Sequence, residues 1–393
     1  MSKEPKVIAG NSTDGLTGLQ LKFDAVIRSS TEIPRAPSAD TFVAPGFVDV
    51  QVNGFAGVDY NNPDTRHQEI SASIRKMFET GVTKFFPTII TGPKERIIGA
   101  LRRLIDAKRE FQRSHLAEAQ AIAGFHIEGP HISPEEGPRG AHPREHVRPP
   151  DFEEFCEWQE AADGEIKLIT ISPEYPTAPQ YISQLVQSGV VVSIGHTGAN
   201  ADQIKAAADA GATMSTHLGN GAHPVLPKTS NYIWEQLAED RLTASLILDG
   251  THLPEAFLRS ALRIKGVERS ILVTDAVMPA MCEPGMYRLG EIQVELLPDG
   301  RVVLPGATRL AGSGLTMDRA IGTCVRFGGV MLADAIRMAT VNPAIATRMP
   351  ARDKGLVAGE TADIVRFHWD AYLQILGVVE TIVAGESVYR AKN

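Results

Sequence analysis

The feature that most constrains the fold of this chain is a repeated alternation of apolar, β-branched segments with helix-like segments. Several helix candidates, such as EISASIRKMFETG and NADQIKAAADAG, end at glycine, the residue that most often stops a helix. Strands that alternate with helices and are buried on both faces are typical of an α/β fold built as a (β/α)8 TIM-type barrel. The eight strand candidates are PGFVDVQVNG, VTKFFPTIIT, AIAGFHIEGP, IKLITISPE, VVVSIGHTG, ATMSTHLGN, TASLILDGTH and SILVTDAVMP.

A doubly wound open sheet is the other fold that this alternation allows. Such a sheet normally carries a Gly-rich phosphate loop, GxGxxG, directly after its first strand. The first strand candidate here continues as VQVNGFAGVD, which does not match that spacing. The barrel is therefore the preferred prediction.

The two ends of the chain do not follow the barrel pattern. Residues 1–48 and the tail at 354–393 lack helix periodicity and resemble short strands separated by turns. Two unrelated extensions would explain this, but each piece alone is too short to bury the face of a sheet. We therefore predict that both ends form one small β-sandwich domain beside a barrel of residues 49–353.

The composition argues against several partners and compartments. A net charge of −8 without a basic run argues against nucleic acid. No apolar run approaches the roughly 20 residues of a membrane span, and the N-terminus lacks the apolar core of a signal peptide. We expect a cytoplasmic protein without a disulfide framework, because its cysteines are odd in number and far apart: Cys156, Cys282 and Cys324.

Most of the predicted strands end in a polar side chain. In a barrel, function lies at the C-terminal ends of the strands. One polar residue at such a position is usually a cap or a turn former, but a set of His, Glu and Asp on one barrel face indicates a site. The residues are Gln51 and Asn53 on the first strand, Glu128 on the third, His196 on the fifth, His217 on the sixth, Asp249 and His252 on the seventh, and Asp275 on the eighth.

Three of these side chains form a candidate metal site. Glu128, His196 and His217 offer two nitrogens and one oxygen, a ligand set typical of a catalytic divalent metal with an open coordination position. Such a metal lowers the pKa of bound water to about 7 and polarises a carbonyl group. Asp275 is then the candidate general base and acid beside that water, although an Asx turn in TDAVMP is its structural alternative.

The order of the motifs resembles a known family. PGFVDVQVNG, PTIIT, HIEGPHIS, GHTGA, THLGN, DGTHLP, VTDA and LAGS occur in this order. The set resembles the N-acetylglucosamine-6-phosphate deacetylases of the amidohydrolase superfamily, from about Pro45 to the GETADIV segment. The resemblance implies a metal-dependent hydrolase that removes acetate from the 2-amino group of a phosphorylated amino sugar.

The resemblance also implies roles for individual residues. Glu128, His196 and His217 match the family's metal ligands, and Asp275 matches its catalytic acid/base. Six further residues match positions near the substrate: His142 and His252 as contacts, Asn220 and Gly221 at the phosphate turn, and Ala311 and Gly312 at the acetyl end.

The first strand departs from the wider superfamily. Many amidohydrolases have HxH there and bind two metals, whereas this chain has Gln51 and Asn53 at those positions. Amides are poor metal ligands compared with imidazole, so these two residues form a vestigial second metal site or support the first. We expect one divalent ion per subunit, either zinc or iron, because two imidazoles and one carboxylate suit both.

A second departure concerns the phosphate. In the family, an arginine from the neighbouring subunit reaches the substrate phosphate, which implies a homodimer. The matching position by spacing here is Lys228, in HLGNGAHPVLPKTSNYIWEQL. A lysine binds phosphate as a point charge without the bidentate geometry of arginine, and an ordinary surface lysine is the alternative.

Two other functions remain open from the sequence. One is an amidohydrolase of the same fold acting on an unphosphorylated N-acyl amino sugar or another N-acyl amine. The other is a binding protein on an inactive barrel, against which the intact set of Glu128, His196, His217 and Asp275 argues. Among the remaining histidines, we expect His126 to support the site or pack in the core, and His131 to be solvated.

Overall fold

The computed structural model describes residues 4–35, 41–289, 292–306 and 310–392. Within these ranges, the first strands are β1 (Lys6–Asn11), β2 (Gly18–Phe23), β3 (Ile27–Ile33) and β4 (Thr41–Pro45). The next are β5 (Phe47–Val52), β6 (Gly54–Phe55), β7 (Val58–Asp59), β8 (Val82–Ile90), β9 (Phe125–Glu128), β10 (Ile166–Ile171), β11 (Val191–Ile194), β12 (Met214–Ser215), β13 (Thr243–Ile247) and β14 (Ser270–Val273). The last are β15 (Gly285–Leu289), β16 (Ile292–Leu296), β17 (Arg301–Val303), β18 (Leu310–Ser313), β19 (Ile364–Asp370), β20 (Ile375–Val383) and β21 (Glu386–Arg390).

Helices separate the barrel strands, as the alternating pattern predicts. They are α1 (His67–Glu79), α2 (Lys94–Arg113), α3 (Glu118–Ala121), α4 (Phe152–Ala161), α5 (Ala178–Gln187), α6 (Ala201–Asp209), α7 (Tyr232–Ala238), α8 (Glu255–Lys265), α9 (Met317–Thr323), α10 (Leu332–Met338) and α11 (Val341–Ala346). Helix α6 begins with a capping box, in which Asn200 accepts from the Gln203 amide at 3.0 Å and the Gln203 side chain accepts from the Asn200 amide at 2.9 Å. None of the helices in the described ranges combines the length and apolarity needed to cross a membrane.

The eight predicted barrel strands lie in one parallel sheet, which confirms the predicted fold class. Its order, β5-β8-β9-β10-β11-β12-β13-β14, follows the chain. The two ends of the sheet approach each other, because the Asn53 amide donates to the Ala276 carbonyl at 2.8 Å. Between the same two edge strands, β5 and β14, the Thr274 hydroxyl donates to the buried Asp49 carboxylate at 2.5 Å. These contacts bring the C-terminal ends of all eight strands to one face of a nearly closed barrel.

Strands from both ends of the chain form one further sheet, as predicted. Its seven strands run in the order β21-β20-β19-β4-β1-β2-β3. Apolar side chains from both ends pack in one core, including Leu21, Phe23, Val43, Ile364 and Ile382. Neither end could bury these side chains alone, because each contributes only part of the core. The domain boundaries at 48/49 and 353/354 stay predictions; the barrel sheet itself begins at Phe47.

A buried ion-pair cluster joins this terminal sheet to the barrel. Asp363, directly before β19, lies 3.2 Å from the Lys84 ammonium on barrel strand β8 and 3.4 Å from the Arg352 guanidinium. The Arg352 guanidinium also donates to the Gly46 carbonyl at 2.6 Å, between β4 and β5. Asp363 and Arg352 are almost fully buried, so their charges depend on one another.

A small antiparallel sheet after the eighth barrel strand was not predicted. Strands β15–β18 form it in chain order, around a core that includes Val294, Leu296 and Val302. It is attached to the barrel face because the Val277 amide donates to the Ser313 carbonyl at 3.0 Å. A signal was present in the sequence: the turn PDG at residues 298–300 lies between two alternating segments, a pattern typical of a hairpin.

Candidate active site

Three of the predicted strand-end side chains meet at the barrel face. Glu128 is the last residue of β9, and one of its carboxylate oxygens lies 2.9 Å from Nε2 of His217 and 3.2 Å from Nε2 of His196. The two histidine nitrogens are 3.1 Å apart, and all three side chains are buried. Such close convergence of three ligand atoms makes this a possible site for a divalent metal ion.

The backbone has positive φ at the residues that carry several of these side chains. His196, His217 and Asp275 each lie two residues after their strand ends, with φ of 50°, 29° and 49°. Positive φ is uncommon for residues other than glycine and costs about 1–3 kcal/mol where it persists. The strand ends thus leave the extended conformation at the residues that aim chemical groups at the barrel axis.

The hydrogen bonds around the cluster suit metal binding. Nδ1 of His196 donates to the Pro138 carbonyl at 2.8 Å, which orients the ring so that Nε2 faces the cluster. Burial alone would raise the pKa of Glu128, but hydrogen bonds from His196 and His217 outweigh it and hold the pKa well below its usual value. The donor set therefore offers an ionised carboxylate and two imidazoles, and it fits a divalent cation.

Asp275 lies beside this cluster and is held by two amides. The Asn53 side chain donates to its Oδ1 at 2.7 Å, and the Gln51 side chain donates to the same oxygen at 3.1 Å. Gln51 also donates to Glu128 at 2.8 Å, so it bridges the two carboxylates. Burial, followed by repulsion from Glu128, raises the pKa of Asp275 to about 6. A carboxylate with such a pKa is suited to exchange protons near neutral pH.

Two further histidines are those that the resemblance predicts as substrate contacts. The His142 ring is buried 4.4 Å from the His196 ring, and its Nδ1 pairs with the Thr91 hydroxyl at 2.8 Å. Burial, the largest cause, lowers the pKa of His142 to about 3, so this imidazole is neutral. Nδ1 of His252 donates to Asp249 at 2.6 Å, which fixes its ring and leaves Nε2 free for another partner.

The remaining predicted residues lie on the β12–α7 loop and on strand β18. Gly221 has φ of 56°, and a Cβ there would be 2.6 Å from Nδ1 of His196, so only glycine fits this turn. Asn220, next to it, donates to the His217 carbonyl at 3.2 Å. Gly312 follows Ala311 on β18, next to Val277. Lys228 is exposed in the β12–α7 loop, residues 216–231.

The β9–α4 loop, residues 129–151, contributes contacts that the sequence did not indicate. The Pro138 carbonyl orients His196, and the Glu135 carboxylate lies 3.3 Å from Nε2 of His223 in the β12–α7 loop. His223 also pairs with the Tyr232 hydroxyl at 3.0 Å. These contacts link two loops across the site. The residues EEGPRG between Pro134 and Ala141 were the available signal, because glycine and proline there indicate a compact turn.

Two predictions about other histidines have different outcomes. His126 is buried below the site and pairs with the Thr170 hydroxyl at 2.7 Å, in agreement with a packed core position. The expectation that His131 is solvated is wrong. Its ring is fully buried between Trp158 and Tyr181, with centroid distances of 5.5 and 5.2 Å. Loop position misled this prediction, because the β9–α4 loop folds back over the barrel wall.

Relatives of known identity share most of this chain. N-acetylglucosamine-6-phosphate deacetylase of Bacillus subtilis is 31% identical over 371 residues, 93% of this chain and 90% of the relative. N-acetylgalactosamine-6-phosphate deacetylase of Shewanella sp. is 32% identical over 363 residues, 91% of this chain and 85% of the relative. The structure of N-acetyl-D-glucosamine-6-phosphate deacetylase from Mycobacterium smegmatis with N-acetyl-D-glucosamine-6-phosphate is similar with a TM-score of 0.84 at 30% identity. The match covers 98% of this chain and 99% of that one.

A barrel with a Glu/His/His cluster beside an aspartate defines a class of metal-assisted hydrolases. The profile of the amidohydrolase family matches residues 42–388, which is most of the chain. The chain therefore belongs to the amidohydrolase family, and it is a hydrolase that acts on an amide C–N bond.

Proposed function

We propose that this chain is a deacetylase that hydrolyses N-acetylglucosamine 6-phosphate to glucosamine 6-phosphate and acetate. The observation that carries the proposal is the position of Asp275, whose half-buried carboxylate lies directly beside the Glu128, His196 and His217 cluster and is bridged to Glu128 by the Gln51 amide. Relatives named for this activity cover nine tenths of the chain, which supports the same substrate class.

In the proposed reaction, one group of residues binds the metal and Asp275 transfers the proton. Glu128, His196 and His217 would hold one divalent ion, which when bound would polarise the acetyl carbonyl and acidify a water molecule. Asp275 takes a proton from the attacking water as the oxygen bonds to the carbonyl carbon. The same carboxyl then returns the proton to the sugar nitrogen as the C–N bond breaks, which releases acetate and the free amine.

We propose one metal ion per subunit, zinc or iron. Gln51 and Asn53 occupy the positions where imidazoles would hold a second ion, but both donate hydrogen bonds to Asp275. A donating amide stabilises the carboxylate and has no lone pair on its nitrogen for a metal. Their proposed role is to orient Asp275 between proton transfers.

The substrate positions have proposed roles of their own. We propose that His142 and His252 contact the sugar, that Asn220 and Gly221 bind the phosphate through their backbone, and that Ala311 and Gly312 line the acetyl group. Lys228 is proposed to reach the phosphate of the neighbouring subunit in a homodimer. We also propose a cytoplasmic location for the protein, because its proposed substrate is a charged hexosamine phosphate that does not cross membranes freely.

Acetate release by purified protein tests the proposal. The substrates are N-acetylglucosamine 6-phosphate, N-acetylgalactosamine 6-phosphate and both unphosphorylated sugars. The galactose epimer is included because one relative is named for it. The proposal expects the highest kcat/KM with N-acetylglucosamine 6-phosphate. A higher kcat/KM with either unphosphorylated sugar would refute it, and a preference for the galactose epimer would change the sugar while keeping the phosphate.

A further inference from the structure

Arg139, a cationic side chain near the site, has no carboxylate partner in the part of the chain that the structure describes. Arg139 lies in the β9–α4 loop and is half-buried. Its Nη1 donates to the His142 carbonyl at 2.5 Å, and its Nε is buried without a hydrogen-bond partner. Among the described residues, no carboxylate lies within ion-pair distance of this guanidinium.

The position of Arg139 in the loop brings it close to the catalytic centre. The next residue, Gly140, packs against a metal-ligand candidate, since a Cβ there would be 3.2 Å from Cε1 of His196. The carbonyl that Arg139 holds belongs to His142, whose ring is 4.4 Å from that of His196. Arg139 therefore lies beside the residues that enclose the centre.

Nearby acidic side chains are engaged elsewhere. Glu135 pairs with His223 at 3.3 Å. Glu174 accepts hydrogen bonds from the Ser172 hydroxyl at 2.6 Å and from the Gly198 amide at 3.0 Å. Because no described carboxylate pairs with the Arg139 guanidinium, it is available to an anionic ligand. The planar fork of arginine matches a phosphate group, to which it can donate two parallel hydrogen bonds.

We propose that Arg139 binds the phosphate of the substrate from within the same chain. This proposal rests on the proposed function, and it adds a specificity residue to the active site. Lys228, the residue at the position of the family's arginine, is exposed and offers only a point charge. Arg139 supplies the bidentate contact that Lys228 lacks, without a requirement for a second subunit.

Three variants on one loop test the proposal. Arg139→Gln removes the positive charge. Arg139→Lys keeps the charge but lacks the planar guanidinium that can donate two parallel hydrogen bonds. Arg144→Gln is the matched control. Arg144 is exposed in the same loop, within the short 3-10 helix Arg144–His146. Steady-state kinetics are measured with N-acetylglucosamine 6-phosphate and with N-acetylglucosamine. Inorganic phosphate is tested as a competitive inhibitor of each protein.

Arg139→Gln is expected to lower kcat/KM for the phosphorylated sugar roughly ten- to a hundredfold, mainly through KM, and to leave the unphosphorylated sugar within about twofold. Arg139→Lys is expected to recover part of the loss, and Arg144→Gln to match the parent protein. The inhibition constant for inorganic phosphate is expected to rise in Arg139→Gln.

Two results would overturn the assignment of Arg139. An equal loss on both sugars would mean that Arg139 only supports the loop through the His142 carbonyl. Unchanged kinetics for the phosphorylated sugar would exclude a phosphate contact. If the parent protein itself prefers the unphosphorylated sugar, the proposed function fails, and the role of Arg139 fails with it. The parent protein's own kinetics therefore distinguish the two failures.

Discussion

Asp275 has the environment of a proton carrier rather than that of a structural anchor. Both hydrogen bonds described for its Oδ1 come from neutral amides, those of Gln51 and Asn53. Neutral donors hold the carboxylate in place but stabilise its negative charge less than a cation would. Asp275 can therefore still be protonated near neutral pH. An Asx turn, the structural alternative raised by the sequence, does not explain why this side chain is aimed at Glu128.

Asp275→Asn tests this role at the level of one residue. The amide keeps the size of the side chain but cannot take a proton from water. We expect kcat to fall by roughly two orders of magnitude or more, with bound metal and substrate affinity retained. Metal analysis and equilibrium binding of N-acetylglucosamine 6-phosphate serve as controls. A variant with near-normal kcat would exclude Asp275 as the general base.

Single residues of the candidate site were predictable where they follow strands. Glu128, His196, His217 and Asp275 share one barrel face because parallel strands end on the same side, and this follows from the order of segments alone. Arg139 was not predictable, because its position depends on how the β9–α4 loop folds back. No periodicity in the sequence specifies such a path.

At the scale of elements, the β9–α4 loop is fixed to the barrel wall by a buried histidine. Nδ1 of His131 donates to the Arg148 carbonyl at 3.2 Å, while Trp158 on α4 and Tyr181 on α5 enclose its ring. Burial, the largest cause, lowers the pKa of His131 from 6.5 to about 4. The folded loop therefore requires a neutral imidazole.

This requirement predicts how stability depends on pH. Below pH 6.5 the unfolded chain takes up a proton on His131 that the folded chain refuses until about pH 4, so stability falls as pH falls through this window. A shift of this size is equivalent to about 3 kcal/mol. Urea unfolding between pH 7 and pH 4.5 should show the decline, with a shallower slope in His131→Phe. An identical slope in both proteins would contradict a neutral, buried His131.

The small sheet β15–β18 shows why a correct fold class can still omit an element. Its strands are short and antiparallel, and they follow the eighth barrel strand at a point where the alternating pattern predicts a helix. The prediction of the barrel left no place for them. Local signals existed in the PDG turn and its flanking alternation, but they indicate a hairpin without saying where it packs.

For the whole molecule, the terminal sheet and the barrel depend on one buried charge. Asp363 faces both Lys84 and Arg352, and removing its charge would leave two cations without their partner. The sequence predicted that the chain ends share one domain, because neither end could bury a sheet face alone. The sequence could not predict this buried ion-pair cluster, since Asp363, Lys84 and Arg352 lie in separate segments without a common motif.

Asp363→Ala should therefore destabilise the molecule strongly. Breaking a buried ion pair by removal of one partner typically costs about 3–5 kcal/mol. Asp209→Ala is the matched control, because Asp209 also contacts two cations, Lys205 and Arg241, but on an exposed surface. Urea unfolding should show a much smaller change for the control. Equal losses in the free energy of unfolding for the two variants would mean that the packing of the terminal sheet on the barrel does not depend on the Asp363 charge.

The central claim is that one divalent ion held by Glu128, His196 and His217 makes this chain an N-acetyl hydrolase. Titration of chelator-treated protein with Zn²⁺ or Fe²⁺, with acetate release from N-acetylglucosamine 6-phosphate as the signal, tests it most directly. We predict that release is minimal after chelation, rises in proportion to added metal and levels off at one equivalent per chain. Full acetate release from protein verified to contain no metal, or a rise that continues to two equivalents, would contradict the claim.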